Sequence, residues 1–224
     1  SLGVGGVPYT VAKMLAESDK KDLGCHTGTI SDAFLELYQA GKLTNTHKEL
    51  DTGLSAWNLA MGSQELYDWL DAEPQLFHPG DLDYIHSVER ISKLSNVISI
   101  NGGVQLDLMG QENAESTGTR QLSGVGGQMD FLEGAYRSKG GKGFICINSS
   151  RVTKDGERKS NILATIPGGS TISAPRTMIQ YVATEYGIAS LSGKTLRERA
   201  EAMASIAHPD FREELMKYAQ ENFK

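Results

Sequence analysis

The sequence has 224 residues, 39% of them hydrophobic and 22% charged, with a formal net charge of −6 at pH 7. This composition supports a packed core and excludes a disordered chain. The acidic balance disfavours nucleic acid as the main partner, because phosphate backbones bind basic surfaces. Cys25 and Cys146 have neither metal-binding nor disulfide spacing, and no apolar run has the length of a membrane span. We therefore expect a cytoplasmic protein with no metal site and no membrane partner.

The first half of the chain predicts alternating helices and strands. Pro8 suits the first turn of a helix. Ser31 is a typical N-cap for a second helix, which Gly41 ends. Strands are predicted at 23–27, 53–61, 96–100 and 104–108, helices at 64–71 and 88–94, a short strand or loop at 76–79, and a hairpin turn or bulge at 101–103. This order is typical of an α/β protein with a mostly parallel sheet flanked by helices.

The second half is organised around a glycine-rich loop at 123–131. A helix over 129–136 is expected to leave this loop, followed by strands at 144–147, 162–166 and 179–183, with a charged turn at 154–158. Thr195 and Glu198 match a capping box, which predicts the start of an amphipathic helix. Pro209 is expected to end that helix, and Asp210 is a candidate cap for a final helix to about Phe223.

Two glycine runs, at 2–8 and 123–131, predict two backbone walls of one ligand site, because glycine permits close approach to the main chain. The alternative for each run is an ordinary tight turn. A dinucleotide fingerprint is disfavoured, since Pro8 replaces its last glycine and no acidic residue ends the next strand. Among the five histidines none shares a metal-binding spacing with another. His26 is an acid–base candidate, with a core histidine as the alternative.

Eight short blocks carry a resemblance to a known family. The blocks are Leu2-Gly-Val-Gly-Gly-Val-Pro8, His26-Thr-Gly-Thr-Ile-Ser-Asp32, Asp107-Leu-Met-Gly-Gln111, Asn113-Ala-Glu-Ser116, Ser123-Gly-Val-Gly-Gly-Gln-Met-Asp-Phe131, Thr184-Glu-Tyr-Gly187, Lys194-Thr-Leu-Arg-Glu-Arg199 and Ala207-His-Pro-Asp-Phe211. In this order they resemble the C-terminal lobe of the acetyl-CoA hydrolase/transferase family, in particular its 4-hydroxybutyrate CoA-transferases. The resemblance implies that residues 1–224 form a CoA-transferase-like C-terminal lobe, and that an N-terminal lobe of similar size is absent from this chain.

The resemblance also implies a reaction, the transfer of coenzyme A between an acyl-CoA and a free short-chain carboxylate. In the family a glutamate attacks the thioester, and main-chain N–H groups stabilise the oxyanion. By position, Val4 and Gly127 would donate those N–H groups. Val104, Ser123 and Gly127 would line the coenzyme A site, and Lys154 would meet its phosphates. Coenzyme A is expected as a substrate, with no tightly bound cofactor, and a homodimer or larger assembly is implied.

Gly28 departs from the family pattern, because it occupies the position of the nucleophilic glutamate. Without a side chain, the covalent route cannot run at this position. The protein is then a divergent member that hydrolyses or only binds acyl-CoA, or an inactive version, or a member in which Glu115 or Glu36 has replaced the nucleophile. We predict a CoA-transferase-like lobe, with an acyl-CoA hydrolase and a non-catalytic CoA-binding subunit as the alternatives.

Overall fold

The computed structural model describes residues 1–3 and 5–223. The chain forms two compact units. The first comprises Ser1–Asn101 and Asp130–Gly143, and the second comprises Gly102–Met129 and Phe144–Lys224. Within the part of the chain that is described, no helix is both long and apolar enough to cross a membrane.

A three-stranded parallel sheet forms the centre of the first unit, in the order β1 (His26–Ile30), β2 (Ser55–Ala60), β3 (Phe77–Pro79). Parallel strands need long crossover connections, which helices provide here. The helices that belong wholly or partly to this unit are α1 (Gly6–Glu17), α2 (Asp32–Gln39), α3 (Gln64–Ala72), α4 (Leu82–Ile85), α5 (Val88–Lys93) and α6 (Gln128–Arg137). A 3-10 turn at Pro74–Leu76 precedes β3, and β4 (Ile98–Gly102) bridges Leu2 in parallel through Ile100.

Apolar side chains from β2, α4, α5 and α6 make a buried cluster in the first unit. Its members are Ala56, Ile85, Ile91 and Phe131. Short polar side chains start the helices around it, because they satisfy N–H groups that have no partner inside a helix. Ser63 caps α3 and Ser87 caps α5 in this way. The predicted cap Ser31 stands at the start of α2, but its side chain makes no capping hydrogen bond.

In the second unit, β13 (Tyr181–Thr184) pairs in parallel with β9 (Lys142–Cys146) and antiparallel with β14 (Gly187–Ser190). A smaller sheet has the order β12 (Ile162–Leu163), β5 (Gln105–Asp107), β6 (Glu112–Asn113). The remaining elements are the strand pairs β7 (Ser116–Thr117) with β8 (Arg120–Gln121) and β10 (Ser150–Val152) with β11 (Arg158–Ser160), and the helices α7 (Leu196–Ser205) and α8 (Pro209–Asn222). Parallel strands flanked by helices confirm the predicted α/β class.

The predicted strand at 23–27 is placed too early, since β1 runs from His26 to Ile30. Leu23 instead bridges Leu43, and the N–H of Cys25 donates to the side chain of Asn45 at 2.7 Å. These loop contacts use the hydrogen-bonding groups that a sheet would need. As a result Gly28 lies within a strand and not after its end.

Three further predictions differ from the structure. Of the hairpin turn or bulge expected at 101–103, the hairpin is wrong, because β4 neighbours β9 while β5 pairs with β6 and β12. The strand predicted at 162–166 ends at Leu163. The cap of α8 is His208, whose Nδ1 accepts a hydrogen bond from the N–H of Asp210 at 3.3 Å, and Pro209 is the first residue of that helix. The capping box of Thr195 and Glu198 is confirmed.

Candidate functional site

Gly28 lies on β1 beside a histidine that the sequence did not single out. A Cβ built on Gly28 would be 2.8 Å from Nε2 of His86, 3.3 Å from its Cε1, and 3.4 Å from Cε2 of Phe131. The contact is with the end of a side chain, so a residue at position 28 would displace the imidazole and leave the backbone in place. The predicted nucleophile position is therefore adjacent to an imidazole ring.

His86 directly follows α4 and is held from its other side by α6. Its Nδ1 lies 3.2 Å from Oδ2 of Asp130, and its ring packs edge-on against Phe131 with centroids 5.3 Å apart. The His86 side chain is 17% exposed and that of Asp130 is 43% exposed. A carboxylate at Nδ1 favours the tautomer with its proton on Nδ1, which leaves a lone pair on Nε2 toward Gly28.

His26, the acid–base candidate on β1, has the features of a core histidine. Its Nε2 donates to the carbonyl oxygen of Ile85 at 2.8 Å, and its Nδ1 is buried without a hydrogen-bond partner. Burial lowers the pKa of His26 to about 4, against a smaller opposing effect of the Ile85 carbonyl. The ring is neutral at physiological pH, which fits the structural alternative.

Neither proposed replacement carboxylate supplies one of the three atoms nearest to a Cβ at Gly28. Glu36 lies on α2 in the first unit, with Oε2 buried and unpaired. Glu115 belongs to the second unit, is 4% exposed, and has Oε1 buried and unpaired. The atoms nearest to position 28 belong to His86 and Phe131, so they give no support to Glu36 or Glu115 as a substitute nucleophile.

Two of the predicted coenzyme A residues bind opposite ends of one short segment in the second unit. The N–H of Val104 donates to the carbonyl of Asn113 at 2.9 Å, and the N–H of Ser123 donates to the carbonyl of Glu115 at 3.3 Å. Asn113 fixes this segment itself, since its Oδ1 accepts the N–H groups of Glu115 and Ser116. Val104 and Ser123 are therefore joined through residues 113–115.

The remaining predicted residues lie apart from that segment. Gly127 immediately precedes α6, whose first N–H groups have no partner within the helix. Lys154 is exposed in the turn between β10 and β11, within the charged turn expected from the sequence. Val4 lies outside the described residues.

Glu112 is a fully buried carboxyl group in the same unit as Gly127. Both of its oxygens accept from Nε2 of Gln128, at 2.8 and 2.6 Å, and a Cβ built on Gly103 would lie 2.7 Å from Oε1. Burial raises the pKa of Glu112 to about 8; the Gln128 hydrogen bond opposes this rise and the nearby Glu115 adds to it. The group is thus largely protonated at neutral pH. The burial of Glu112 could not be predicted from the sequence, because glutamate side chains are normally exposed.

This pKa predicts a stability that falls as pH rises. Between about 4.5 and 8 the unfolded chain loses the Glu112 proton while the folded chain keeps it, so deprotonation favours unfolding. We expect Glu112→Gln to gain melting temperature relative to the native protein as the pH is raised from 5 to 8. Thermal denaturation by circular dichroism measures the difference. Glu214→Gln, at an exposed position of α8, is the control and should show no such trend.

The buried side chain of Arg199 organises a second site, made of backbone carbonyls. Its guanidinium donates to the carbonyls of Met109, Leu191 and Arg176, each at 2.8 Å. Gly110 makes room for it, since a Cβ there would lie 2.6 Å from Nη2, and its φ of +84° also favours glycine. The site holds three loops together and offers no reactive group.

Asp107 has a similar structural function in the turn after β5. Its Oδ1 accepts the N–H groups of Met109 and Gln111, and its Oδ2 accepts from Nε2 of Gln111. Within residues 1–3 and 5–223, no group of three His, Cys, Asp or Glu side chains could hold a metal ion.

The fold defines the class of protein, because it is similar to the fold of solved CoA-transferase structures. A solved 4-hydroxybutyrate CoA-transferase from Porphyromonas gingivalis superposes with a TM-score of 0.83 at 36% identity, covering 99% of this chain and 51% of that one. A parallel α/β architecture of this kind confirms the expected fold.

The sequence comparison then identifies the family. The pattern of the acetyl-CoA hydrolase/transferase C-terminal domain matches residues 62–219. A butyryl-CoA:acetate CoA-transferase of Anaerostipes caccae is 45% identical over 98% of this chain and 49% of its own length. A 4-hydroxybutyrate coenzyme A transferase of Clostridium kluyveri is 43% identical over 99% and 50%. The chain belongs to the acetyl-CoA hydrolase/transferase family.

Two further facts concern the length and the activities of the relatives. The chain spans about half the length of the curated relatives it matches. More distant relatives include an acetyl-CoA hydrolase of Kluyveromyces lactis, which is 29% identical over 96% of this chain and 39% of its own length. Enzymes of both kinds, transferases and hydrolases, are therefore represented among the relatives.

Proposed function

We propose that this chain is a lobe of an enzyme that transfers coenzyme A between an acyl-CoA and a free short-chain carboxylate, of the 4-hydroxybutyrate or acetate type. One observation carries the proposal, the 45% identity to a butyryl-CoA:acetate CoA-transferase across 98% of the chain. The position of Gly127 directly before α6 supports it, because the first N–H groups of a helix have no partner within the helix and can bind an anion.

The proposed roles follow the residues introduced above. The N–H groups of Val4 and Gly127 would stabilise the oxyanion, and Val104 and Ser123 would line the coenzyme A site. Lys154, as an exposed cation, would meet the phosphates of coenzyme A. Coenzyme A would enter as a substrate with no tightly bound cofactor. The enzyme would work in the cytoplasm as a homo-oligomer, together with an N-terminal lobe of the same protein.

A second candidate is acyl-CoA hydrolysis. It is favoured because Gly28, beside His86, stands where the family has its nucleophilic glutamate. The third, a CoA-binding subunit without catalysis, needs only the glycine loop. One set of incubations separates the three, with full-length protein and acetyl-CoA, with and without butyrate. Butyryl-CoA formed only with butyrate supports transfer, thiol release without butyrate supports hydrolysis, and binding without turnover supports the third.

Gly127→Val is expected to reduce turnover of acetyl-CoA by about 10²-fold, the usual loss for one oxyanion donor. The branched side chain would keep the substrate carbonyl away from the N–H group of residue 127. Steady-state kinetics of the full-length protein measure the effect. Gly124→Val in the same loop is the matched control, because a Cβ there meets no atom within 4 Å. Equal activity of both variants would remove Gly127 from the site.

A further inference from the structure

We propose that His86, held by Asp130, is a general base that directs water onto an acyl-CoA carbonyl at position 28, so that this Gly28 protein hydrolyses acyl-CoA thioesters. The inference rests on the proposed function for the presence of a thioester at that position. Its substrates are short acyl-CoA thioesters and water, and its products are the carboxylic acid and free coenzyme A.

The geometry of the pair provides the first argument. Nδ1 of His86 faces Oδ2 of Asp130 at 3.2 Å, and Nε2 faces the side of Gly28 that has no side chain. A carboxylate at one ring nitrogen orients an imidazole and leaves the other nitrogen free to accept a proton. The arrangement is thus a base with an orienting partner, directed at the predicted reaction position.

Glycine provides the second argument. A Cβ at position 28 would lie 2.8 Å from Nε2, a distance at which one of the two groups must move. The imidazole can occupy its observed place only because residue 28 has no side chain. Glycine at position 28 therefore has two consequences. It removes the glutamate nucleophile, and it lets the imidazole of His86 approach the strand.

Two side chains of α6 contact the His86 ring. Phe131 covers one edge of His86, and Asp130 approaches from α6. His26 of β1 also packs near Phe131, but its ring donates to the Ile85 carbonyl and burial keeps it neutral. On α5, the Arg90 guanidinium lies over the Tyr84 ring at 4.0 Å. His86 is the side chain here with both an orienting carboxylate and a nitrogen facing Gly28.

The reaction balances with water as the co-reactant. The water oxygen forms a bond to the acyl carbon while its proton passes to Nε2 of His86. The tetrahedral intermediate then breaks its carbon–sulfur bond, and the imidazolium returns the proton to the leaving thiolate. Asp130 keeps its contact with Nδ1 and stabilises the imidazolium, so it is a positioning residue.

Thiol release from acetyl-CoA by the full-length protein tests the proposal, measured without a carboxylate acceptor from pH 5.5 to 8.5. We expect the native protein to release thiol without an acceptor, at a rate that depends on pH because a general base must be unprotonated to accept a proton. His86→Gln should lower kcat about 10²-fold with KM unchanged and should flatten the pH profile. Asp130→Asn should lower kcat less and should shift the profile. His47→Gln, at an exposed position, is the control.

Three results would overturn the inference. These are native hydrolysis in His86→Gln, an unchanged pH profile in that variant, and no hydrolysis by the native protein. Calorimetric titration with coenzyme A separates failure of this inference from failure of the proposed function. Binding and acceptor-dependent exchange without hydrolysis refute the inference alone, whereas absence of binding and of exchange refutes both.

Discussion

Gly28→Glu is expected to raise acceptor-dependent CoA transfer by about 10³-fold or more in the full-length protein. A carboxylate fixed beside the bound thioester acts at an effective concentration of about 10⁵ M or higher, and it divides one difficult step into two. The residue fits a strand, and the atoms it meets first belong to the end of the His86 side chain. Butyryl-CoA formed from acetyl-CoA and butyrate is the measurement, and mass spectrometry should detect the covalent glutamyl-CoA thioester.

Gly28→Gln is the matched control for that variant. It has the same length but no nucleophilic oxygen, so neither the thioester adduct nor faster transfer is expected. It also displaces the His86 ring, and acceptor-independent hydrolysis should therefore fall below the native rate. If folded Gly28→Glu shows no gain in transfer, the chain lacks more of the transferase machinery than its nucleophile.

Arg199→Met is expected to destabilise the second unit by about 3–5 kcal/mol. Three carbonyls lose their donor, that of Leu191 in a buried hydrogen bond and those of Met109 and Arg176 in partly buried ones. Each unsatisfied group costs about 1–3 kcal/mol before the structure relaxes. The methionine fills most of the volume, which isolates the loss of hydrogen bonds from the loss of packing. Urea denaturation should show the change as a lower midpoint at a similar slope.

Arg197→Met tests the specificity of that effect on the same helix. The Arg197 side chain is 53% exposed and its partner is Glu201 at 2.9 Å, one turn away. Exposed pairs of this kind contribute about 0–1 kcal/mol, so the variant should remain near native stability. Equal destabilisation by both substitutions would mean that Arg199 acts through helix formation and not through the three carbonyls.

Local signals in the sequence predicted the parts of the fold that depend on neighbouring residues. The capping box at Thr195, the end of α2 near Gly41 and the helix after the central glycine loop each need only a few adjacent side chains. The start of β1 could not be predicted in this way. It depends on Asn45, which takes the N–H of Cys25 from 20 residues away.

In the candidate site, too, some residues could be predicted from local sequence and others only from the tertiary structure. The family blocks indicate Gly28 and Gly127 by position, yet two other residues of these blocks, Asp107 and Arg199, make structural hydrogen bonds. His86 carries no motif of its own. It reaches Gly28 through the fold, 58 residues along the chain, and only the tertiary structure brings its Nε2 to that strand. The same holds for Glu112, whose burial no local pattern indicates.

The backbone at Gly28 has a consequence for how this protein can evolve. Gly28 does not have a positive φ, so a residue with a side chain can adopt its backbone conformation without strain. Glycine codons GGA and GGG differ from glutamate codons GAA and GAG by a single base. A lineage can therefore pass between a side-chain-free strand and a carboxylate-bearing one in one mutational step, with the rotation of one imidazole as the main structural adjustment.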